Sequence, residues 1–201
     1  MLQELNMAFI SPPKKIPLFI RLGLWVAEKI SGADLLPARL LAWYPKAAVS
    51  SAVLEGLIAH GDQDLDPRIL KIVRLAVSFA ASCPFCIDMN SAGWEKLITP
   101  DELTAVQGNK PTEEVASFSA RERLAIQYAR LITNTPLSFP LSLREELKEL
   151  FNEREIVILA TTAAQVNYWT RLIQALGCPP AGRSDFYLDI PSEPARGSHS
   201  T

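Results

Sequence analysis

From Ile69 to Ala80 the chain is apolar except at Lys71, Arg74 and Ser78, and these three, with Arg68, recur every three or four residues. That spacing predicts a helix buried nearly all round, with one polar stripe. Asp66-Pro67 marks its start, a capping side chain followed by the residue best tolerated in a first helical turn. Ser82 or Cys83 followed by Pro84 repeats the signal, so a second helix is expected to begin at the cysteines. Upstream, Phe19, Leu22, Val26 and Ile30 predict a helix from Pro17 to Ile30, stopped by Ser31-Gly32. It reads as an arm packed on its own core or on a neighbouring subunit, because its polar face lacks the basic character of an interfacial membrane helix. Further helices are expected from about Pro37 to Trp43 and from Lys46 to His60, the latter ended by Gly61. Downstream, Thr99 with Glu102, Ser119 with Glu122 and Ser142 with Glu145 have capping-box spacing, and Asn152 with Glu155 makes a further capping pair. No stretch sustains an alternation of period two, and Gly-rich hairpin turns are absent. The fold expected is all-α, with eight to ten helices.

A shift of 84 residues maps Ile72, Val73, Leu75 and Ala76 onto Ile156, Val157, Leu159 and Ala160, Ala80 onto Ala164, and Gly93 onto Gly177. The same shift places Asn167 where Cys83 stands, Thr170 where Cys86 stands and Glu155 where Lys71 stands. The layout expected is two related helical hairpins, only the first carrying the thiols. Residues 1–34 read as an N-terminal arm, 35–190 as the helical domain and 191–201 as a mobile tail. Phe186-Tyr187-Leu188 are expected to pack back on the body.

The chain has 201 residues, 48% of them apolar, and a net charge of −2. That is enough for a packed core, and the near-neutral balance without basic clusters argues against nucleic acid as a partner. Lys14-Lys15 precede an apolar run that Arg21 interrupts, without a good cleavage site, so no signal peptide is expected. Ile16–Ile30 is too short and too charged to span a bilayer. The compartment expected is the cytoplasm, where two cysteines at this spacing are more often redox-active or metal-binding than a structural bridge.

Cys83-Pro84-Phe85-Cys86 is the one close cysteine pair. A helix N-terminus favours a thiolate through its free N–H groups and its dipole. Three residues apart on a helix, the two sulfurs share a face and can close a disulfide. Asn90 lies one turn beyond Cys86. If the two helices fold back antiparallel, Lys71 or Arg74 reaches the neighbourhood of the thiols, an arrangement refuted by both cations lying far from sulfur. A structural disulfide or idle thiols remain alternatives. Zinc wants four ligands, and only Cys178, His60 and His199 are left to supply them, so no metal is expected. No phosphate-cradling Gly loop is present, so no cofactor is expected either. Asp88 reads as a solvated or subunit-contacting charge, His60 as a helix end, and Tyr168 and Trp169 as core packing.

A buried helix, then Cys83-x-x-Cys86 opening the next, then a polar position at Asn90, resembles the carboxymuconolactone decarboxylase superfamily, most closely its alkylhydroperoxidase D-like (AhpD-like) branch. The resemblance runs from about Leu35 to Gly177 and takes in FNEREIVILATTAAQVNYWTRLIQALG, which looks like that family's C-terminal hairpin. It implies the AhpD-like all-α fold, a homo-oligomer (trimer or hexamer) and a thiol-dependent oxidoreductase, peroxidase-like or disulfide-reducing. It further implies that Cys86 attacks the peroxide and becomes a sulfenic acid, and that Cys83 condenses with it to a disulfide reduced by a protein partner. The family's Glu twelve residues before the first Cys is here Lys71, its His four residues after the second is Asn90, and its His between the two is Phe85. A Glu–His proton relay is therefore absent, and activation has to come from elsewhere: Asn90 through a hydrogen bond, Lys71 through charge. The competing reading is a non-enzymatic oligomeric scaffold or redox sensor. A decarboxylase-type lyase is disfavoured because that chemistry does not call for a dithiol.

Overall fold

The computed structural model describes residues 8–57 and 65–184, and among these the regular elements are all helical. The expected helix end at His60 and Gly61 and the expected packing and mobility of the C-terminal tail lie outside the described residues. Nine α-helices follow one another: α1 (Leu18–Ser31), α2 (Leu36–Leu41), α3 (Pro45–Leu57), α4 (Pro67–Ala80), α5 (Pro84–Ser91), α6 (Pro100–Gln107), α7 (Ala120–Thr133), α8 (Leu141–Leu150) and α9 (Glu153–Ala175). Thr99, Ser119 and Asn152 close the capping boxes their sequence spacing predicts. Ser142 does not. α8 starts two residues earlier than a Ser142 cap predicts, behind Pro140, whose ring has no hydrogen-bond acceptor to cap with.

α4 is the axis of the molecule, packed on α5, α6, α7 and α9. Ile72, Leu75, Ala76 and Val77 are wholly buried, as expected of a helix surrounded by others. Its polar stripe anchors it. Arg68 pairs with Glu102 of α6 at 2.6 Å and with Glu122 of α7. Burial alone would raise the Glu102 carboxyl, yet Arg68, Ser117 and the Thr99 amide together hold it down at about 2. Lys71 donates to the Ala92 carbonyl at 2.7 Å, and Ser78 accepts from Asn90 at 2.9 Å, so both tie α4 to α5.

The echo between the halves has a different outcome from the hairpin expected. Residues 153–175 form one unbroken helix, α9, where the first copy breaks into α4 and α5. The 84-residue shift sets Tyr168 against Pro84. Without proline's missing N–H and ring clash, nothing stops the second copy after one α4 length. The two copies do end alike: Gly93 and Gly177 both have positive φ, 67° and 64°.

α1 and α3 stand against each other at one side. Leu18, Phe19, Leu22, Trp25, Val26 and Ile30 of α1 are all exposed, Ile30 at 82%. The arm is tethered by Glu28, whose carboxylate takes both a 2.7 Å and a 3.1 Å bond from Arg39 of α2. No helix among the described residues is long and apolar enough to cross a membrane.

Candidate active site

Cys83 is placed by the way α4 ends. The Ser82 N–H donates to the Phe79 carbonyl at 2.9 Å and the Cys83 N–H to the Ser78 carbonyl at 3.2 Å, with Ser82 at φ 47°. This is a Schellman turn with a non-glycine residue in its left-handed position. Pro84 then opens α5 at once, which makes Cys83 its N-cap. The Cys83 sulfur accepts the Cys86 N–H at 3.3 Å. A hydrogen bond from the Cys86 thiol, opposed by burial and reinforced by the Cys86 and Phe85 amides, lowers the Cys83 thiol below its ordinary range. The Cys86 thiol is pushed up, first by that same bond to Cys83, then by burial and by the Cys83 and Cys178 charges. Of the two, Cys83 therefore gives up its proton more readily and Cys86 holds its own.

Both sulfurs are covered. Cys83 is 0% exposed and Cys86 is 3% exposed. The cover comes from distant parts of the chain: Ala8 of the arm, Leu36 and Leu40 of α2, Trp169 and Ile173 of α9, and Cys178 and Ala181 beyond it. Trp169 also donates its indole N–H to Glu55 of α3 at 2.9 Å.

Asn90 and Lys71 sit elsewhere on the hairpin. The Asn90 amide nitrogen donates to Ser78 Oγ at 2.9 Å, bracing α5 against α4. Among the described residues, no hydrogen bond joins it to either sulfur. Lys71 binds the carbonyl at the C-terminal end of α5, and the eight residues of that helix, about 12 Å, separate it from Cys83. Burial, and then the Arg74 charge, lower the Lys71 ammonium. The antiparallel fold-back is present, but it brings the stripe alongside the far end of α5.

Sequence reasoning missed two residues of this site. Asp88, expected to be a solvated or subunit-contacting charge, is 0% exposed. Its Oδ1 accepts the Arg183 N–H at 2.8 Å, the Ser184 N–H at 2.6 Å and the Ser184 hydroxyl at 3.0 Å, fastening the segment after α9 across α5. Cys178 joins the thiols from the turn that ends α9. Neither is signalled locally, since each depends on chain segments roughly a hundred residues apart folding together.

No family model matches the sequence. The uncharacterized protein YnjA of Escherichia coli (strain K12) is 27% identical over 174 residues, 86% of this chain and 94% of that one. The uncharacterized peroxidase-related protein of Ralstonia eutropha JMP134, described as an alkylhydroperoxidase AhpD core, superposes with a TM-score of 0.71 over 94% of this chain and 98% of its own, at 17% identity. This chain has the AhpD-like fold. The debrominase Bmp8, as a cysteine-to-alanine variant in complex with 2,3,4-tribromopyrrole, superposes with a TM-score of 0.74 over 90% of this chain and 96% of its own, at 16% identity. On the AhpD-like scaffold, the thiol pair of this chain lies at the start of α5, against the C-terminal end of α9.

Proposed function

We propose that the chain is a peroxidase-like, thiol-dependent oxidoreductase in which Cys83 and Cys86 cycle between dithiol and disulfide. The observation that carries this reading is the asymmetry of the pair. The Cys83 sulfur caps α5 and accepts the Cys86 N–H at 3.3 Å, and its Cys86 and Phe85 neighbours lower its thiol while the Cys86 thiol is raised. That arrangement replaces a Glu–His relay: the helix N-terminus stabilises the thiolate, and the neighbouring thiol holds the proton.

The Cys83 thiolate attacks the outer oxygen of a hydroperoxide. An S–O bond forms, the O–O bond breaks, and the departing alkoxide takes the Cys86 proton to leave as an alcohol. Cys83 is then a sulfenic acid. The Cys86 thiolate attacks its sulfur, expels hydroxide and closes the disulfide, which a protein dithiol reduces. The resemblance assigns the first attack to Cys86; the charge distribution favours Cys83. Leu36, Leu40, Phe85 and Trp169 give the surroundings an apolar character, which suits an organic hydroperoxide better than hydrogen peroxide. The exposed apolar face of α1 supports a homo-oligomer, since a patch of that kind marks an interface.

The test is consumption of cumene hydroperoxide in the presence of dithiothreitol, with peptide mapping of the oxidised chain. Cys83→Ser and Cys86→Ser are each expected to fall to the background rate, and the wild type to yield a Cys83–Cys86 disulfide. Turnover retained in Cys83→Ser alone moves the attack to Cys86, and turnover retained in both variants ends the assignment. The burial of both sulfurs favours a second reading, a scaffold with an idle pair. It predicts neither consumption nor a disulfide.

A further inference from the structure

On the other side of the α4–α5 corner lies a cleft of about 230 Å³, lined by Ala81, Thr133, Asn167, Thr170, Arg171 and Gln174 among others. The shift between the two halves puts Asn167 and Thr170 at the places of Cys83 and Cys86. The second copy therefore carries an amide and a hydroxyl where the first carries its thiols. Asn167 is only 8% exposed. Its Nδ2 donates to the Thr133 hydroxyl at 3.2 Å and to the Ala163 carbonyl at 3.0 Å. These two acceptors fix the amide, because the flipped form would set its oxygen against the Ala163 carbonyl. Oδ1 is left buried without a donor among the described residues. A buried carbonyl oxygen in that state calls for a hydrogen-bond donor from outside the chain.

Arg171 comes one turn later, at the exposed rim. Its guanidinium reaches the Thr135 hydroxyl at 3.1 Å, and no carboxylate among the described residues pairs with it. Gln174, exposed like Arg171, donates to the Ala81 carbonyl at 3.2 Å. Asn167, with its unmet acceptor, and Arg171, with no carboxylate partner among the described residues, both line this cleft and are neighbours on one helix face.

We propose that this cleft binds a small oxyanion that also carries a hydrogen-bond donor, a 2-hydroxycarboxylate being the chemistry that fits. The carboxylate lies on Arg171 and the hydroxyl donates to Asn167 Oδ1. The proposal stands apart from the thiol chemistry and needs no peroxidase activity.

The experiment is an amide NMR titration of the full chain with glycolate, acetate and ethylene glycol as probes. Glycolate is expected to saturate, with shifts at Ala81, Thr170 and Gln174. Acetate, which lacks the donor, is expected to bind about tenfold more weakly, and ethylene glycol, which lacks the charge, to give no saturation. Arg171→Gln, at an exposed position, is expected to keep the fold and weaken glycolate at least about tenfold. Asn167→Ala is expected to remove the difference between glycolate and acetate. Absence of glycolate saturation, equal affinity for glycolate and acetate, or unchanged binding in Arg171→Gln overturns the proposal and leaves Oδ1 to an ordered water.

Discussion

Two helices of this protein end in the same turn, and each turn leads into a cysteine. At the end of α4, Ser82 takes the left-handed position and Cys83 comes next; at the end of α9, Gly177 and Cys178 do the same. The hydrogen bonds match: Cys178 N–H to the Ile173 carbonyl at 3.1 Å and Gly177 N–H to the Gln174 carbonyl at 3.0 Å. Both sulfurs enter one apolar cluster. Their chemistry nevertheless diverges, because the next residues differ. Pro84 opens a helix whose first amides point back at Cys83. Pro179-Pro180 carry no N–H at all, so Cys178 receives nothing comparable. Burial, and then the charge on Cys83, push Cys178 up to about 11. A thiol's reactivity is thus set here by the residues after it rather than by its turn or its burial.

The greatest difference expected between the two turns is the separation of their thiol titrations. Ultraviolet thiolate absorbance measured across pH in wild type and Cys178→Ser is expected to show Cys83 ionised below the ordinary thiol range and Cys178 only near pH 11. At neutral pH that gap corresponds to at least about a hundredfold difference in thiolate fraction. Equal onsets would remove the distinction. Consistent with it, a limiting dose of hydroperoxide is expected to leave Cys178 as a free thiol in the peptide map.

The turn at Gly177 can be disrupted directly. Gly177 has φ +64°, and a Cβ there would lie 2.5 Å from the Phe9 ring of the arm. Gly177→Ala is expected to cost about 1–3 kcal/mol, read as a lower unfolding midpoint in urea. A midpoint unchanged from wild type would contradict both the left-handed strain and the clash with the Phe9 ring.

Alkaline stability tests the sign of the Cys178 shift. A group whose folded pKa is raised contributes stability that is present below its unfolded value, near 9, and lost as pH climbs through about 11. Cys178→Ala is expected to flatten the decline over that window, and a parallel decline in both proteins would contradict it.

A more modest change is expected at the matching turn. Ser82 is exposed and holds φ 47°, a conformation glycine adopts without steric penalty. Relief of about 1–2 kcal/mol of left-handed strain outweighs glycine's extra entropy of about 0.5–1 kcal/mol. Ser82→Gly is therefore expected to stabilise the protein by up to about 1 kcal/mol in the same urea measurement. Destabilisation would mean that the Ser82 side chain has a role the turn does not require.

The helices, most of their starts and the position of the cysteine pair were legible in the chain before it folded. Helix caps, first-turn prolines and the stripe on α4 act over a few residues, so Asp66-Pro67, Thr99 with Glu102 and Cys83-Pro84 can be read in any context. Packing settled the rest: that α9 runs unbroken with Asn167 in a cleft, that Lys71 and Asn90 brace the hairpin, that Asp88 fastens the segment at 183–184, and that Ala8, Leu40 and Cys178 close over the sulfurs. Those outcomes come from segments far apart in the chain meeting around α4. Which of them meet is fixed by the packing of whole helix faces, and no short window of sequence contains that information.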